Sequence, residues 1–324
     1  MRVSKWMVAA AALAAVPAAQ GQAPAYPTHP IRVVVPFGAG GTPDTVARQM
    51  AAEMDKRLKV RVVVDNKPGA NGVIGAADVA KAAPDGYTLL HVTTSFVINP
   101  HVYKKLSYDI DKDFVPVANV ATGTGYLLMV NPKLPVHTVT ELVDYGRKAA
   151  KPITYSSPGI GNTLHLAGEL FAARTNMAML HVPYKSASQA LNAVAAGDVD
   201  VMFVPPTIAL PYVQSGKVRA LAFTGEQRTP EHPDAPTMAQ AGVTDFVLAA
   251  SWQGLFAPAG TPQAAVDILA ATVRDIVAQP AFAKMLRDGG YEPDARSGKA
   301  FAELVRADAS RYAEAVKRAG IEAQ

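Results

Sequence analysis

Two hydrophobic patterns alternate along most of this chain. Short β-branched runs read as buried strands, and stretches with apolar residues every three or four positions read as helices. Residues 31–36 (IRVVVP) form the first such run. A glycine-rich loop follows, and residues 43–56 then set Val46, Met50 and Met54 on one helical face. Residues 60–64 predict a second strand, and Asn71 the cap of a helix reaching Lys81. Pro84-Asp85-Gly86 predicts a turn into a strand over 87–92. Repetition of strand and helix in this way implies a parallel sheet with right-handed crossovers.

A second set begins after a strand near 115–121. Thr138-Val139-Thr140-Glu141 has the form of a capping box and opens a helix to Ala149. A strand over 153–156, a second glycine loop and a helix over 162–174 follow. Strands are expected over 179–182, 200–204 and 218–223, with Ser186-Ala187-Ser188-Gln189 as another capping box. The chain returns through 246–257, Thr261-Pro262 marks a helix start, and 298–319 is helical. The expected fold is therefore α/β, with two lobes, each a mostly parallel sheet flanked by helices. Two crossings join them, near 115–125 and 246–257, and two crossings make a hinge. Residues 24–120 with 251–324 would form the first lobe and 121–250 the second.

Composition narrows the reading. Of 324 residues 49% are hydrophobic and 18% charged, enough apolar surface for folded domains. No cysteine is present, which excludes disulfides, thiolate metal sites, a cysteine nucleophile and a lipoprotein anchor. Arg2 and Lys5 precede an Ala-rich apolar run, 6–16, and small residues follow at Ala18, Ala19, Gly21 and Ala23. That is the layout of a signal peptide over 1–23 and implies export to the periplasm. The run is too short to span a bilayer and ends at Pro17. Losing the segment lowers the formal charge from +4 to +2, with no basic run to suggest nucleic acid.

The two glycine loops carry the chemistry. Phe37-Gly38-Ala39-Gly40-Gly41 enters the helix at Pro43, and Ser157-Pro158-Gly159-Ile160-Gly161 enters the helix at Asn162. A helix N-terminus presents unpaired N–H groups and about half a positive charge, and glycine lets a ligand approach the backbone. Facing loops of this kind would clamp an anionic group without needing Arg or Lys. The first loop begins like the dinucleotide fingerprint, and Asp65 lies near the ribose distance, but Pro43 occupies the third glycine position. No Gly-Lys-Ser/Thr follows either loop, so a P-loop is excluded. The seven histidines form no metal-ligand spacing, and no G-x-S-x-G elbow occurs. Neither a metal nor a cofactor is expected.

The segment from Pro36 to Arg48, PFGAGGTPDTVAR, resembles the signature P-[FY]-x-x-G-G-x-x-D-x-x-A-R of the Bug family, extracytoplasmic receptors of tripartite tricarboxylate transporters. Asn66-Lys67-Pro68-Gly69-Ala70-Asn71-Gly72, Pro84-Asp85-Gly86-Tyr87, Ser157-Pro158-Gly159-Ile160-Gly161, His165-Leu166-Ala167, Val182-Pro183-Tyr184-Lys185 and Gly254-Leu255-Phe256-Ala257-Pro258 follow in family-like order. The resemblance implies a Venus-flytrap fold of the type II periplasmic binding class. It also implies capture of a small carboxylate and delivery to a membrane permease with large and small subunits. A few family members present ligand to a sensor kinase instead.

The candidate ligand-binding residues are Phe37, Gly38, Ala39, Gly40, Gly41, Asp44, Thr94, Ser95, Ser157, Gly159, Gly161, Asn162, Thr163, Tyr184 and Asp200. Several have a plain alternative. Asp44 suits the first helical turn and pairs with Arg48, or it accepts hydrogen bonds from a ligand. Phe37 lines an apolar ligand face or packs in the core. One of Ser157, Asn162 and Thr163 caps the helix while the others reach a carboxylate. His165 is read as a packed histidine, Tyr184 as a lid or a core tyrosine, and Trp252 as hinge packing. The competing function is a secreted α/β enzyme with Asp44 or His165 as general base.

Overall fold

Two β-sheets divide the chain, and the computed structural model shows how the connections between them set up a cleft. It describes residues 26–318 apart from 247, 249 and 250, together with 320, 321 and 323. The segment expected to direct export lies outside the described residues.

The chain opens with β1 (Ile31–Val35), α1 (Thr42–Leu58), β2 (Val62–Asn66), a 3₁₀ turn (Ala70–Gly72), α2 (Val73–Ala80) and β3 (Thr88–Thr93). Then come α3 (Ser95–Val102), α4 (Ile110–Asp113) and the long strand β4 (Phe114–Gly123). The middle of the chain holds β5 (Leu127–Val130), α5 (Val139–Lys148), β6 (Ile153–Ser157), α6 (Thr163–Thr175), β7 (Met179–Pro183), α7 (Ala187–Ala196), β8 (Val201–Val204), α8 (Pro206–Gln214) and β9 (Arg219–Phe223). It closes with β10 (Trp252–Pro258), α9 (Gln263–Val277), α10 (Pro280–Asp288), β11 (Tyr291–Pro293) and α11 (Gly298–Arg318).

The first sheet has the order β11-β4-β10-β3-β1-β2 and the second β7-β6-β8-β5-β9. Both sheets are mixed rather than mostly parallel. Among the named strands, parallel pairing joins β2-β1-β3 and β7-β6-β8. The reason is the hinge. The C-terminal ends of β3 and β8 point to the junction of the lobes, and the chain enters each lobe from that junction. β10 must therefore run antiparallel to β3, and β5 antiparallel to β8. The outward crossing occupies Thr124 to Tyr126. The return ends at Ser251, whose carbonyl accepts from Gly123 N at 2.6 Å.

Side chains cap some of the helices. Thr138 Oγ1 caps α5 by accepting from Glu141 N at 3.1 Å, and Glu141 reaches back to His137 N. Ser186 Oγ caps α7 in the same way. Asn71 does not cap α2. It adopts a left-handed conformation (φ 51°) inside the 3₁₀ turn, and Gly72 precedes the helix. Thr261 does not cap α9 either, because its hydroxyl donates to Pro258 O and Pro262 takes the cap position.

The first sheet is covered on both faces. One face packs Val33, Leu89 and Leu255 against Val46, Met50 and Met54 of α1 and Leu269 and Val273 of α9. The other packs Trp252 and Phe256 against Phe96 of α3 and Phe301 of α11. The predicted α1 stripe is therefore buried where the sequence placed it. Trp252 is fully buried at the hinge, and its indole N–H donates to Asp308 of α11 at 2.9 Å. The second lobe buries Tyr155, Phe171, Phe203 and Phe223 in a core of its own.

Candidate functional site

The parallel strands of both lobes end at one cleft. Phe37 follows β1, Thr93 ends β3, Pro158 follows β6 and Pro205 follows β8, and all four border a cavity of about 90 Å³. In open α/β sheets, ligands bind at these carboxyl ends. A larger hollow of about 480 Å³ lies between α6 and α11 and touches none of the strand-end loops.

The first loop is braced from behind. Gly40, at φ 81°, donates its N–H to Asp44 Oδ2 at 2.9 Å. Arg48 Nε donates to the same carboxylate at 3.1 Å, and Asn66 Nδ2 to its other oxygen at 2.9 Å. Asn66 also bonds Phe37 O, which ties the loop to β2. Asp44 is buried, and burial alone would raise its pKa. The hydrogen bonds from Arg48, Gly40 and Asn66 outweigh that effect and hold the carboxyl below its usual range. Its acceptor sites serve the loop, and it does not line the cavity. Phe37, Gly38, Gly41, Thr42 and Pro43 do. Gly41 is the N-cap of α1 and has no side chain to occupy the helix end.

The second loop is braced by histidines. Ser157 is fully buried, with Oγ 2.6 Å from His181 Nε2, donating to Gly159 O and accepting from Gly159 N. Gly161 N donates to His165 Nδ1 at 3.3 Å. Burial lowers the pKa of His165 to about 4. Burial, with the charge of His165 beside it, lowers that of His181 to about 3. Both rings are neutral at pH 7, so His165 is a packed acceptor and not a base poised for chemistry. Tyr155 donates to Glu169 behind the same loop. Asn162 Oδ1 caps α6 through Leu164 N at 2.9 Å, which settles which of the three flanking residues is the cap. Asn162 and Thr163 line the cavity, whereas Ser157, Gly159 and Gly161 shape the loop behind them.

Other expected residues fall elsewhere. Thr94 and Ser95 are buried. Thr94 Oγ1 accepts from Trp252 N at 2.9 Å, which makes it a hinge residue, and the preceding Thr93 faces the cavity instead. Tyr184 packs against the core of the second lobe and bonds Ser157 O through its N–H. Ala39 borders no part of the cavity. Asp200 stands at the opposite, N-terminal end of β8. Its Oδ2 accepts from Thr154 N and from Thr154 Oγ1, each at 2.8 Å, pinning β6 to β8 far from the cleft.

Sequence reasoning missed the cleft floor and one wall. Tyr126, Ser251 and Tyr291 come from the crossings and from β11 to form a polar floor. Tyr126, at the end of the outward crossing, donates its hydroxyl to Thr163 Oγ1 at 3.0 Å. Lys185, Ser186 and Ala187 bring the N-terminus of α7 to the wall, and Pro205 and Ile208 bring that of α8. The second capping box was the available signal for α7. Among the described residues Lys185 is the one formally charged residue on the cavity, and no acid lines it. With four helix N-termini around it, the cavity favours an anion. No cluster of metal ligands occurs among the described residues.

Comparison with known proteins agrees with this geometry. Residues 46–321 match the model of the tripartite tricarboxylate transporter family receptor. The chain is 32% identical over 309 residues to Protein BugT of Bordetella pertussis, covering 94% of this chain and 93% of that protein. Among solved structures it is similar to R. palustris Rpa4515 with adipate (TM-score 0.88, 35% identity, 92% of this chain and 100% of that one). It is also similar to MatC from Rhodopseudomonas palustris with bound malate (TM-score 0.83, 34% identity, 90% and 100%).

Proposed function

Because this chain belongs to the tripartite tricarboxylate transporter receptor family, we propose that it captures a small carboxylate between its lobes and delivers it to the membrane permease of such a transporter. One observation carries the reading. Two glycine loops and four helix N-termini meet at a single cavity that, among the described residues, holds one lysine and no acid. Backbone N–H groups and dipole ends then supply the attraction for a carboxylate, and Tyr126, Ser251 and Tyr291 supply hydroxyls for the rest of the ligand. The adipate and malate held by two similar proteins are of the class that fits.

The action is capture and release without turnover. The two residues offered as a general base have other work, since Asp44 braces the first loop and His165 accepts from the second. The lobes divide at Thr124 to Tyr126 and at Ser251, so closure is a rotation about these crossings. The segment over 1–23 would export the protein to the periplasm, where the ligand is met.

Thermal-shift screening of the mature protein against mono- and dicarboxylates, amino acids, sugars and phosphates tests the proposal. A ligand at 100 times its Kd adds about 2.7 kcal/mol, a rise of several degrees at this size. Stabilisation by carboxylates is the expected result. Stabilisation by sugars or phosphates alone, repeated after denaturing and refolding to strip bound ligand, would overturn it.

A further inference from the structure

Asn71 lies in the first lobe, outside the cavity, in the family-like block that precedes α2. Its left-handed backbone (φ 51°, ψ 36°) turns its side chain toward α3, where Nδ2 donates to Asn99 Oδ1 at 2.9 Å. Asn99 Nδ2 returns a bond to Asn71 O at 3.2 Å and reaches the Tyr108 hydroxyl at 3.4 Å. Asn99 and Tyr108 are both buried, so the Asn71 amide is fixed from within its own lobe.

The Asn71 Oδ1 atom faces the other lobe. Asn162 Nδ2, on the second glycine loop, donates to it at 3.5 Å and to Ser95 Oγ at 3.4 Å. Asn162 therefore divides its amide. The oxygen caps α6 and the nitrogen crosses to the first lobe. The backbones are close at the same point, since a Cβ on Gly161 would stand 2.5 Å from Val102 Cγ2 and 3.2 Å from Asn71 Nδ2. On the opposite flank Gly290 approaches Pro206 of the second lobe, where a Cβ would meet Cδ at 2.9 Å.

The geometry points to Asn71 as a positioning residue for lobe closure, a latch that holds the second glycine loop through Asn162. This inference rests on the hinged, ligand-capturing reading above. Opening the hinge would separate Asn162 from Asn71, while the bonds to Asn99 lie within the first lobe and would remain. Asn71 thus favours the closed state without touching the ligand, and its loss speeds release more than it slows capture.

The cysteine-free chain allows a direct test. Spin labels at exposed helical positions, Ala52→Cys on α1 and Lys148→Cys on α5, report the distance between lobes by electron–electron double resonance. The measurement is made on ligand-free protein and again with adipate. Asn71→Gly keeps the left-handed backbone and removes the latch. Asn162→Ser keeps a capping hydroxyl and removes the amide donor. Asn71→Gly is expected to lower the closed population about 2- to 10-fold, the range of one hydrogen bond, and Asn162→Ser at least as much, because it also loses the bond to Ser95. The double variant is expected to lower it no further than Asn162→Ser alone. An unchanged distance distribution in Asn71→Gly, or effects that add in the double variant, would overturn the latch. Closure that responds to Asn71 in a protein that no carboxylate stabilises would keep the latch and reject the carboxylate reading.

Discussion

Asp44→Asn separates the two roles that the sequence left open for this residue. The change preserves shape and removes charge. In the folded protein the carboxylate accepts from Gly40 N, Asn66 Nδ2 and Arg48 Nε. Hydrogen bonds to an ionised group contribute about 1.5–3 kcal/mol each, but the new amide still offers one oxygen. The Arg48 side chain is 52% exposed, so water replaces its partner and that pair adds only about 0–1 kcal/mol. The net loss is then about 2–3 kcal/mol, a fall in melting temperature of about 5 °C. Carboxylate binding should weaken by about tenfold or less and persist, because Phe37, Gly38 and Gly41 still line the cavity. The assay is denaturant unfolding of the ligand-free protein, paired with calorimetric titration of a carboxylate. The pH dependence has a definite sign. A carboxyl whose folded pKa is lowered stabilises fully above its unfolded value near 4 and loses that contribution as pH falls through the folded value. The difference between variant and parent should therefore shrink in acid. Unchanged stability with abolished binding would refute the bracing role and place Asp44 against the ligand.

Two further predictions concern burial. His91, His165 and His181 are pushed down from 6.5 to about 4, 4 and 3, in each case chiefly by burial. Their unfolded forms take up protons below about 6.5 while the folded forms do not until about 4, so stability should fall by up to about 1.4 kcal/mol per pH unit per histidine across that window. Unfolding midpoints at pH 7, 6 and 5 measure this, and a flat profile would contradict it. Trp252→Phe removes the donor that meets the buried carboxylate of Asp308, whose pKa burial raises despite Arg311 and that donor. A loss of about 2–4 kcal/mol in chemical denaturation is expected.

Much of the fold was legible because its signals are local. The IRVVV strand, the Val46, Met50 and Met54 stripe and the Thr138 and Ser186 caps are each decided within a few residues. The glycine loops were legible for the same reason. What escaped was long-range. Tyr126, Ser251 and Tyr291 are separated widely in sequence and meet only because two crossings and β11 converge on the cleft floor. Thr93 ends β3 and Thr94 already turns into α3, so one borders the cavity and the other the hinge. Asp200 could have been placed from sequence, since it precedes β8 and the site lies at the other end of parallel strands. Asn71 looked like a cap because Asn suits both a helix cap and a left-handed turn, and only the backbone distinguishes them.

The discontinuity of the first sheet has a consequence for how the molecule comes into being. The second sheet is contiguous, running from β5 to β9, and can close on its own core once the chain has reached Phe246. The first cannot. β10 is its central antiparallel strand, and α11, the last helix of the chain, covers Trp252 and Phe256 with Phe301. A chain emerging from its N-terminus therefore carries β3 past the whole of the second lobe before its partner β10 arrives. During that interval β3 exposes the edge that β10 later covers, an apolar edge of the kind that aggregates. The first lobe should thus be the slow step of maturation, and shortening the chain by its last helix should cost solubility before it costs the second lobe its fold.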